Sequence, residues 1–422
     1  MLSALSIDQL AVLPIAIAAF IVLLSVIVFF HEYGHFSVAR FFGVRVDTFS
    51  IGFGKPIARW TDRHGTEWRI AALPLGGYVK FFGDANAASA PSDAVQGDGQ
   101  GEVQEHRGGT QFPRADADAG KGMTPEEKAV CYHFKPVGVR AAIVAAGPIA
   151  NFILSAVIFW GLIWWLGQDY YEPVIGDVLD DSAAAEAGFA PGDRVLAING
   201  REIRRFTDIS SAVQLGAGDR VAFEVERGGQ TLVLEATPRR VETEDVFGNK
   251  VQLGQLGVRP DPRGLATQSF GPINAIAPAI AKVGDVLKTT FRFIGRLIRG
   301  KEDASQLGGP LRMAKYAGQS ALFGFDESAY AEPPTLVKQM QTSLAMFINL
   351  AAVVSVSIGF LNLLPVPVLD GGHLMYYAYE AVAGRPLGPR AQAFGFRLGL
   401  VMLASLMLFV TWNDINALLV GG

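Results

Sequence analysis

The stretch "VIVFFHEYGHFSVARFF", residues 26–42, puts two histidines and a glutamate at the end of a run that otherwise reads as lipid-facing. Residues 10–30, LAVLPIAIAAFIVLLSVIVFF, are uncharged for longer than the roughly 20 residues a helix needs to cross a bilayer. An ionisable residue at the centre of such a helix costs about 2.5–3.5 kcal/mol on insertion, so it usually marks function. At about 3.6 residues per turn, His31 and His35 lie one turn apart on one face, where two imidazoles can share a metal. Glu32 sits beside them, free to take a proton from water. H-E-x-x-H is the zinc-protease pattern, and among chains with six histidines it turns up by chance in on the order of one in a few hundred. The competing reading is that these residues lie just past the span and merely solvate its end.

Three more apolar runs follow, at 141–166, 343–369 and 398–412, the first ending in a tryptophan cluster suited to a membrane interface. The run at 10–30 is too long for a signal peptide and lacks a basic residue before it, so it reads as a retained span. Four spans put both termini on one side. Arg40, Arg45, Lys55 and Arg59 follow the first span, and Arg385, Arg390 and Arg397 lie between the third and fourth, whereas residues 1–30 hold no Lys or Arg. By the positive-inside rule those two loops are cytoplasmic. Half of the 422 residues are apolar, which argues against a purely soluble protein. A net charge of −4 gives no reason to expect nucleic acid, and the single cysteine, Cys131, excludes an internal disulfide framework.

The sequence thus predicts a polytopic α-helical membrane protein with four transmembrane helices. Residues 1–42 form the first helix with its H-E-x-x-H. Residues 43–83 form a membrane-associated β-hairpin or sheet around a D-R-H-G turn and an L-G-G break. Residues 84–135 are a low-complexity insert, expected to be disordered because it has too few large apolar side chains to offset ordering entropy. A second helix spans 136–168. A compact α/β module spans 171–260, and an amphipathic helical region suited to a membrane surface spans 261–342. A third, proline-broken segment covers 343–380, a short cytoplasmic loop 381–394, and a fourth helix 395–418.

A catalytic zinc keeps three protein ligands and one open position, so a third ligand is needed. In "SIGFLNLLPVPVLDGGHLMYY", 357–377, Pro365 and Pro367 interrupt an apolar run and Asp370 follows. Prolines break a helix, and broken backbone at membrane depth is tolerated only where protein or a water-filled cavity covers it. Asp370 is the natural ligand there. His373 is a chemical rival, and Asp370-Gly371-Gly372 also reads as a turn capping the next helix.

The pairing of H-E-x-x-H with N-x-x-P-x-P-x-x-D-G (Asn362, Pro365, Pro367, Asp370, Gly371) resembles the site-2 protease family of intramembrane zinc metalloproteases. It is most similar to the bacterial regulator-of-sigma-E protease group, also in GGYVKFFGD (76–84), AGPIANFILS (146–155) and GHLMYYAYEAVAGRP (372–386). The resemblance implies one Zn2+ per chain held by His31, His35 and Asp370, with Glu32 as general base and substrate contacts from Asn362, Pro365 and Pro367. The A-G-F-x-x-G-D-x-V-x-x-I-N-G stretch, Ala187–Gly200, resembles a bacterial PDZ domain. Its carboxylate-binding loop would fall at Val174, Ile175, Gly176 and Asp177; relatives often carry two such domains, whereas this chain shows one.

A sheet edge at Arg69, Ile70, Ala71, Ala72, Leu73, Gly76 and Gly77 is expected to pair with an unwound substrate as an added strand. The implied function is hydrolysis of peptide bonds within transmembrane segments of single-pass proteins, such as anti-sigma factors or remnant signal peptides. The implied setting is the bacterial inner membrane, with a periplasmic PDZ domain and an active site toward the cytoplasm. The alternative is a membrane-anchored PDZ scaffold with a non-catalytic metal site. A metal transporter is a poorer reading, since two imidazoles and one carboxylate among four spans make a poor permeation path.

Overall fold

The computed structural model describes residues 7–83, 123–214, 216–244, 250–300, 302, 304–326 and 333–420. In chain order the helices are α1 (Ile7–Phe41), α2 (Pro125–Val130), α3 (Val137–Leu166), α4 (Ala183–Glu186), α5 (Phe206–Gln214), α6 (Ile276–Ile298), α7 (Pro310–Leu322), α8 (Leu336–Asn362), α9 (Asp370–Ala383) and α10 (Pro389–Val420). The strands are β1 (Val46–Thr61), β2 (Glu67–Phe81), β3 (Gln168–Tyr171), β4 (Ile175–Val178), β5 (Arg194–Ile198), β6 (Arg201–Glu202), β7 (Val221–Arg227), β8 (Gln230–Ala236), β9 (Arg239–Glu244), β10 (Lys250–Gln255), β11 (Val258–Pro260) and β12 (Leu265–Gln268). They fall into two compact units, one mainly from 1–157 and 308–415, the other mainly from 158–307.

Among the described residues four helices are long and apolar enough to cross a membrane: Leu13–Phe41, Val137–Leu166, Leu336–Asn362 and Pro389–Ala417. They contain, or in α1 and α8 largely contain, the four apolar runs. Because α1 continues unbroken to Phe41, the H-E-x-x-H motif lies inside a helix rather than beyond its end. The prolines act as their chemistry dictates: α8 stops at Asn362, the chain turns through 363–369, and α9 starts at Asp370. The loop expected over 381–394 is shorter. Gly384 ends α9 in the left-handed conformation (φ 69°), and Pro389 opens α10, where its missing N–H has no helical partner to lose.

The amphipathic region divides between the units. Its later part supplies α7, which packs on α1 so tightly that a Cβ on Gly318 would lie 2.5 Å from that of Ala16. The buried carboxylate of Asp414, on α10, accepts from the N–H groups of Gly309 and Arg312 at 2.9 and 3.0 Å and so caps α7.

β1 and β2 make more than a hairpin, because each bends midway. Residues 48–51 pair with 77–80 on one side and with 67–70 on the other, and 67–70 pair in turn with 58–61. The bends fall at Gly52, Gly54 and Gly76, with φ of 88°, 90° and 129°, values only glycine adopts readily. This corrects the expected edge: Arg69 pairs with both Ser50 and Arg59, and Ile70 with both Ile51 and Ala58. Among the described residues Gly77–Phe81, next to α1, is paired on one side only, as are 58–61 at the other margin of the sheet and Ala71 and Leu73 beyond the bend.

Residues 84–122 of the expected insert lie outside the described residues, but its end is folded. Thr124 and Glu127 form a reciprocal capping box on α2. Cys131 and Tyr132 are buried, and the Tyr132 ring stacks on Phe81 with centroids 4.9 Å apart. The T-P-E-E cap and the apolar side chains after it make 123–135 part of the structure. A Cβ on Gly83 would lie 2.5 Å from Cys131 Sγ and 3.5 Å from Met123 Cε, so the residues flanking the insert meet.

The second unit is an α/β module. Its antiparallel sheet runs β6-β5-β7-β8, with separate pairs β4–β11, β9–β10 and β3–β12. Ile175, Phe189, Val195, Ile198, Phe223 and Val225 fill the core. Asp193, fully buried, receives hydrogen bonds from Arg227 Nε (2.6 Å) and Nη2 (2.7 Å) and from the Ala190 N–H (2.9 Å). On α6, Ile276, Ile280, Phe291 and Ile298 are exposed, while Arg296 turns inward to Asp219, Glu302 and the Ala217 carbonyl.

Candidate metal centre and active site

α1 contributes His31, Glu32 and His35, all buried, and α9 contributes Asp370 from its first residue. The glycines that follow allow this approach: a Cβ on Gly371 would lie 2.3 Å from the carbonyl oxygens of both Leu363 and Leu364, so the turn after α8 closes tightly against α9. His31 Nε2 lies 3.2 Å and His35 Nε2 3.5 Å from Asp370 Oδ2, and the two nitrogens are 3.3 Å apart. A tetrahedral zinc with bonds of about 2.0–2.1 Å has ligand–ligand edges of about 3.3–3.4 Å. The triangle therefore fits such an ion.

The polar atoms support the same fit. Among the described residues Asp370 Oδ2, though close to both imidazoles, is met by no donor in hydrogen-bonding geometry, and Glu32 Oε2 is likewise buried without a partner. Leaving two carboxylate oxygens so exposed to a low-dielectric interior is costly unless a cation or water completes them. His35 Nδ1 lies 2.9 Å from the Ile143 carbonyl, which can only accept. Nδ1 thus carries the proton, and the Nε2 lone pair faces Asp370 and His31.

α3 supplies residues to which sequence reasoning gave no role. Asn151, fully buried, sets its side-chain amide 3.2 Å from His31 Nδ1, and its Oδ1 has no partner. With the amide turned so that Oδ1 faces His31, Nδ1–H finds its acceptor and Nε2 is left free, matching His35. Ser155 and Ser355 donate to the Asn151 carbonyl at 2.8 and 3.0 Å, holding this part of α3 against α8. Gly147 leaves room for both rings: a Cβ there would lie 2.2 Å from His35 Nε2 and 2.9 Å from His31 Cε1. The signal in the sequence was an asparagine amid apolar residues, which costs desolvation unless it is used.

Other expected site residues separate. Asn362 reaches the centre, with Nδ2 3.4 Å from His31 Nε2. Pro365 and Pro367 shape the turn, where a Cβ on Gly399 of α10 would lie 3.2 Å from Pro367 Cδ. Gly77 crosses directly over the glutamate, since a Cβ on it would lie 3.0 Å from Glu32 Cγ; the free strand edge therefore begins above that side chain. Arg69 and Ile70 are inside the sheet, Ala71 pairs with Pro56, and Leu73 with Phe53. His373 is packed against Tyr376 and is not part of the His31–His35–Asp370 cluster.

Val174–Asp177 do not form an open loop. Ile175 is wholly buried, Val174 bridges to Arg194, and a Cβ on Gly176 would lie 2.5 Å from Asp261 Cα. A cleft of about 140 Å3 runs between Phe206, Ile209 and Val213 of α5 and the segment 254–258, and a larger one, about 550 Å3, is lined by Ala217, Asp219, Pro238 and Arg240.

Comparison with known proteins follows the same lines. The model of peptidase family M50 matches residues 19–406. An Agrobacterium fabrum protein named "Putative zinc metalloprotease" is 42% identical over 405 residues, covering 96% of this chain and 96% of that one. Metalloprotease MmpA of Caulobacter vibrioides is 41% identical over 409 residues, covering 95% and 96%. A Rickettsia conorii protein, also named "Putative zinc metalloprotease", is 30% identical over 407 residues, covering 96% and 99%.

Proposed function

The chain belongs to peptidase family M50, the site-2 protease family of zinc metalloproteases, and we propose that it hydrolyses peptide bonds within membrane-spanning segments of other proteins. The observation that carries this reading is the convergence of His31, His35 and Asp370 with Glu32 on helices fit to span a bilayer. His31 Nε2, His35 Nε2 and Asp370 Oδ2 hold the zinc. When bound, the ion supplies Lewis acidity for the scissile carbonyl and for water.

Glu32 Oε2 takes the proton from the attacking water and returns it to the leaving amine, and its burial keeps that proton from leaking to solvent. Asn362 Nδ2 donates to the substrate backbone. A helical substrate hides its carbonyls in i to i−4 hydrogen bonds, so it must unwind before cleavage. The free edge at Gly77–Phe81 offers replacement N–H and C=O partners in an added-strand arrangement that starts above Glu32.

The α/β module acts as a PDZ domain outside the cytoplasm, with the cleft between α5 and 254–258 taking an extended peptide in place of Val174–Asp177. It either grips a substrate C-terminus or excludes substrates with bulky outer domains. Substrates are single-pass proteins of the inner membrane, such as trimmed anti-sigma factors or remnant signal peptides.

The deciding experiment is Glu32→Gln, assayed for zinc content and for cleavage of a model transmembrane peptide. Zinc kept with cleavage lowered by about 10²–10⁴-fold is the expected result. Undiminished cleavage removes Glu32 from the chemistry, whereas a zinc-loaded parent that cleaves no transmembrane peptide leaves the scaffold reading.

A further inference from the structure

The first unit contains a second polar cluster that the proposed chemistry does not use. Arg140, in the first turn of α3, donates from Nη2 to Glu380 Oε1 on α9 at 2.5 Å and from Nε to the Lys135 carbonyl at 3.1 Å. Its guanidinium lies over the Tyr377 ring, 4.9 Å from the centroid. The hydroxyls of Tyr377 and Tyr132 are 2.8 Å apart, and the Tyr132 ring stacks on Phe81 at the end of the free strand edge. The ion pair is largely enclosed, with side-chain exposures of 15% for Arg140 and 19% for Glu380. One cluster thus touches the three elements that carry Asn151, Asp370 and Gly77.

We propose that Tyr132, Arg140, Tyr377 and Glu380 form a positioning cluster that sets the tilt of α9 and thereby places Asp370 against His31 and His35. The proposal rests on the reading of those three residues as the zinc ligands. Asp370 and Glu380 lie at opposite ends of α9, about 15 Å apart at 1.5 Å per residue. A tilt of about 5° at the Glu380 end moves Asp370 by about 1.3 Å, several times the tolerance of roughly 0.2 Å for a zinc bond. A partly buried ion pair is a weak source of stability but a strong source of geometry when the guanidinium is held at several points. Arg140 is held by a carboxylate, a carbonyl and a ring face at once. Lys135 adds a tie to the end of α1, its Nζ donating to the Phe42 carbonyl at 2.8 Å.

The test uses the full-length protein in detergent, with the zinc dissociation constant from chelator competition, kcat and KM on a model transmembrane peptide, and the thermal midpoint. The variants are Glu380→Gln, Arg140→Ala, Arg140→Lys, Tyr377→Phe and Asp370→Asn. Glu380→Gln and Arg140→Ala are expected to weaken zinc binding about tenfold and to lower kcat comparably, with KM within about twofold of the parent. Arg140→Lys, which keeps the charge, recovers part of what Arg140→Ala loses.

Parent-like zinc affinity in Glu380→Gln and Arg140→Ala, alongside a weakened Asp370→Asn, overturns the positioning role alone. Parent-like affinity in Asp370→Asn overturns the reading of the metal centre, and this proposal with it. Should Arg140→Ala fail to fold, the near-isosteric Glu380→Gln and the single-hydroxyl change Tyr377→Phe decide the question by the same measurements.

Discussion

Two enclosed aspartates show one side chain put to opposite uses. Asp193 in the α/β module has both oxygens met by Arg227 and one also by the Ala190 N–H. Asp370 presents Oδ2 to two imidazoles with no donor completing it. A saturated carboxylate has no capacity left for a ligand, so it braces the fold. One left open in a poorly hydrated setting has its hydrogen-bonding capacity reserved for something that arrives later. Unused hydrogen-bonding capacity is what marks Asp370 out from Asp193.

The comparison breaks most directly through Asp370→Asn. Loss of one of the three proposed metal ligands is expected to weaken zinc binding by at least about 100-fold and to abolish cleavage, with the fold kept; zinc stoichiometry and peptide turnover measure both. An Asp370→Asn protein that still binds zinc tightly would erase the contrast. Asn151→Ala removes the acceptor for His31 Nδ1 and should weaken zinc by about 10–100-fold, read by chelator competition.

Asp193→Ala should do the reverse. It leaves zinc affinity alone but destabilises the α/β module by about 2 kcal/mol, discounted from the full cost of breaking a buried pair because Arg227 is 39% exposed. Hydrogen exchange in the module measures it. Acid should have the same effect. Burial by itself raises the Asp193 carboxyl's pKa, but the hydrogen bonds from Arg227 and Ala190 outweigh it and hold the group below the usual carboxylate range. A depressed folded value means the stabilisation is complete above the unfolded pKa of about 3.9 and is lost as pH falls through the lower folded value. The module should therefore loosen below about pH 4.

The sheet sharpens the contrast between structural and open groups. Ile70→Pro, at a position paired on both sides, should disrupt the whole sheet. Of Tyr78→Pro and Val79→Pro, the one whose N–H points away from β1 should lower kcat/KM about tenfold while zinc stays bound, since strand residues alternate the direction of their N–H. Equal loss of zinc from both would remove the added-strand step.

Much of the centre was legible from spacing. His31 and His35 sit one turn apart because a helix has fixed periodicity, and Pro365 and Pro367 announce a break wherever they occur in an apolar run. What was not legible depends on contacts between distant segments. Alternation identifies strands in 43–83 but not that each folds back on itself, so the expected edge at Arg69–Leu73, Gly76 and Gly77 took in Arg69 and Ile70, which are paired on both sides, and missed Tyr78–Phe81. The covering of Val174–Asp177 was hidden for a similar reason, since strand β4 is enclosed by β11, which lies some 80 residues later. The packing of α7 on α1 turns on one small residue, Gly318, which carries no periodic signal.

The near-contact of Gly83 with Met123 and Cys131 has a consequence for how such a chain tolerates change. Gly83 holds a φ of 83° with Cys131 Sγ 2.5 Å from where a Cβ would sit, so any side chain there meets both backbone strain and the thiol. Gly83→Ala should therefore pry the end of β2 away from Cys131 and leave that buried thiol more open to alkylation.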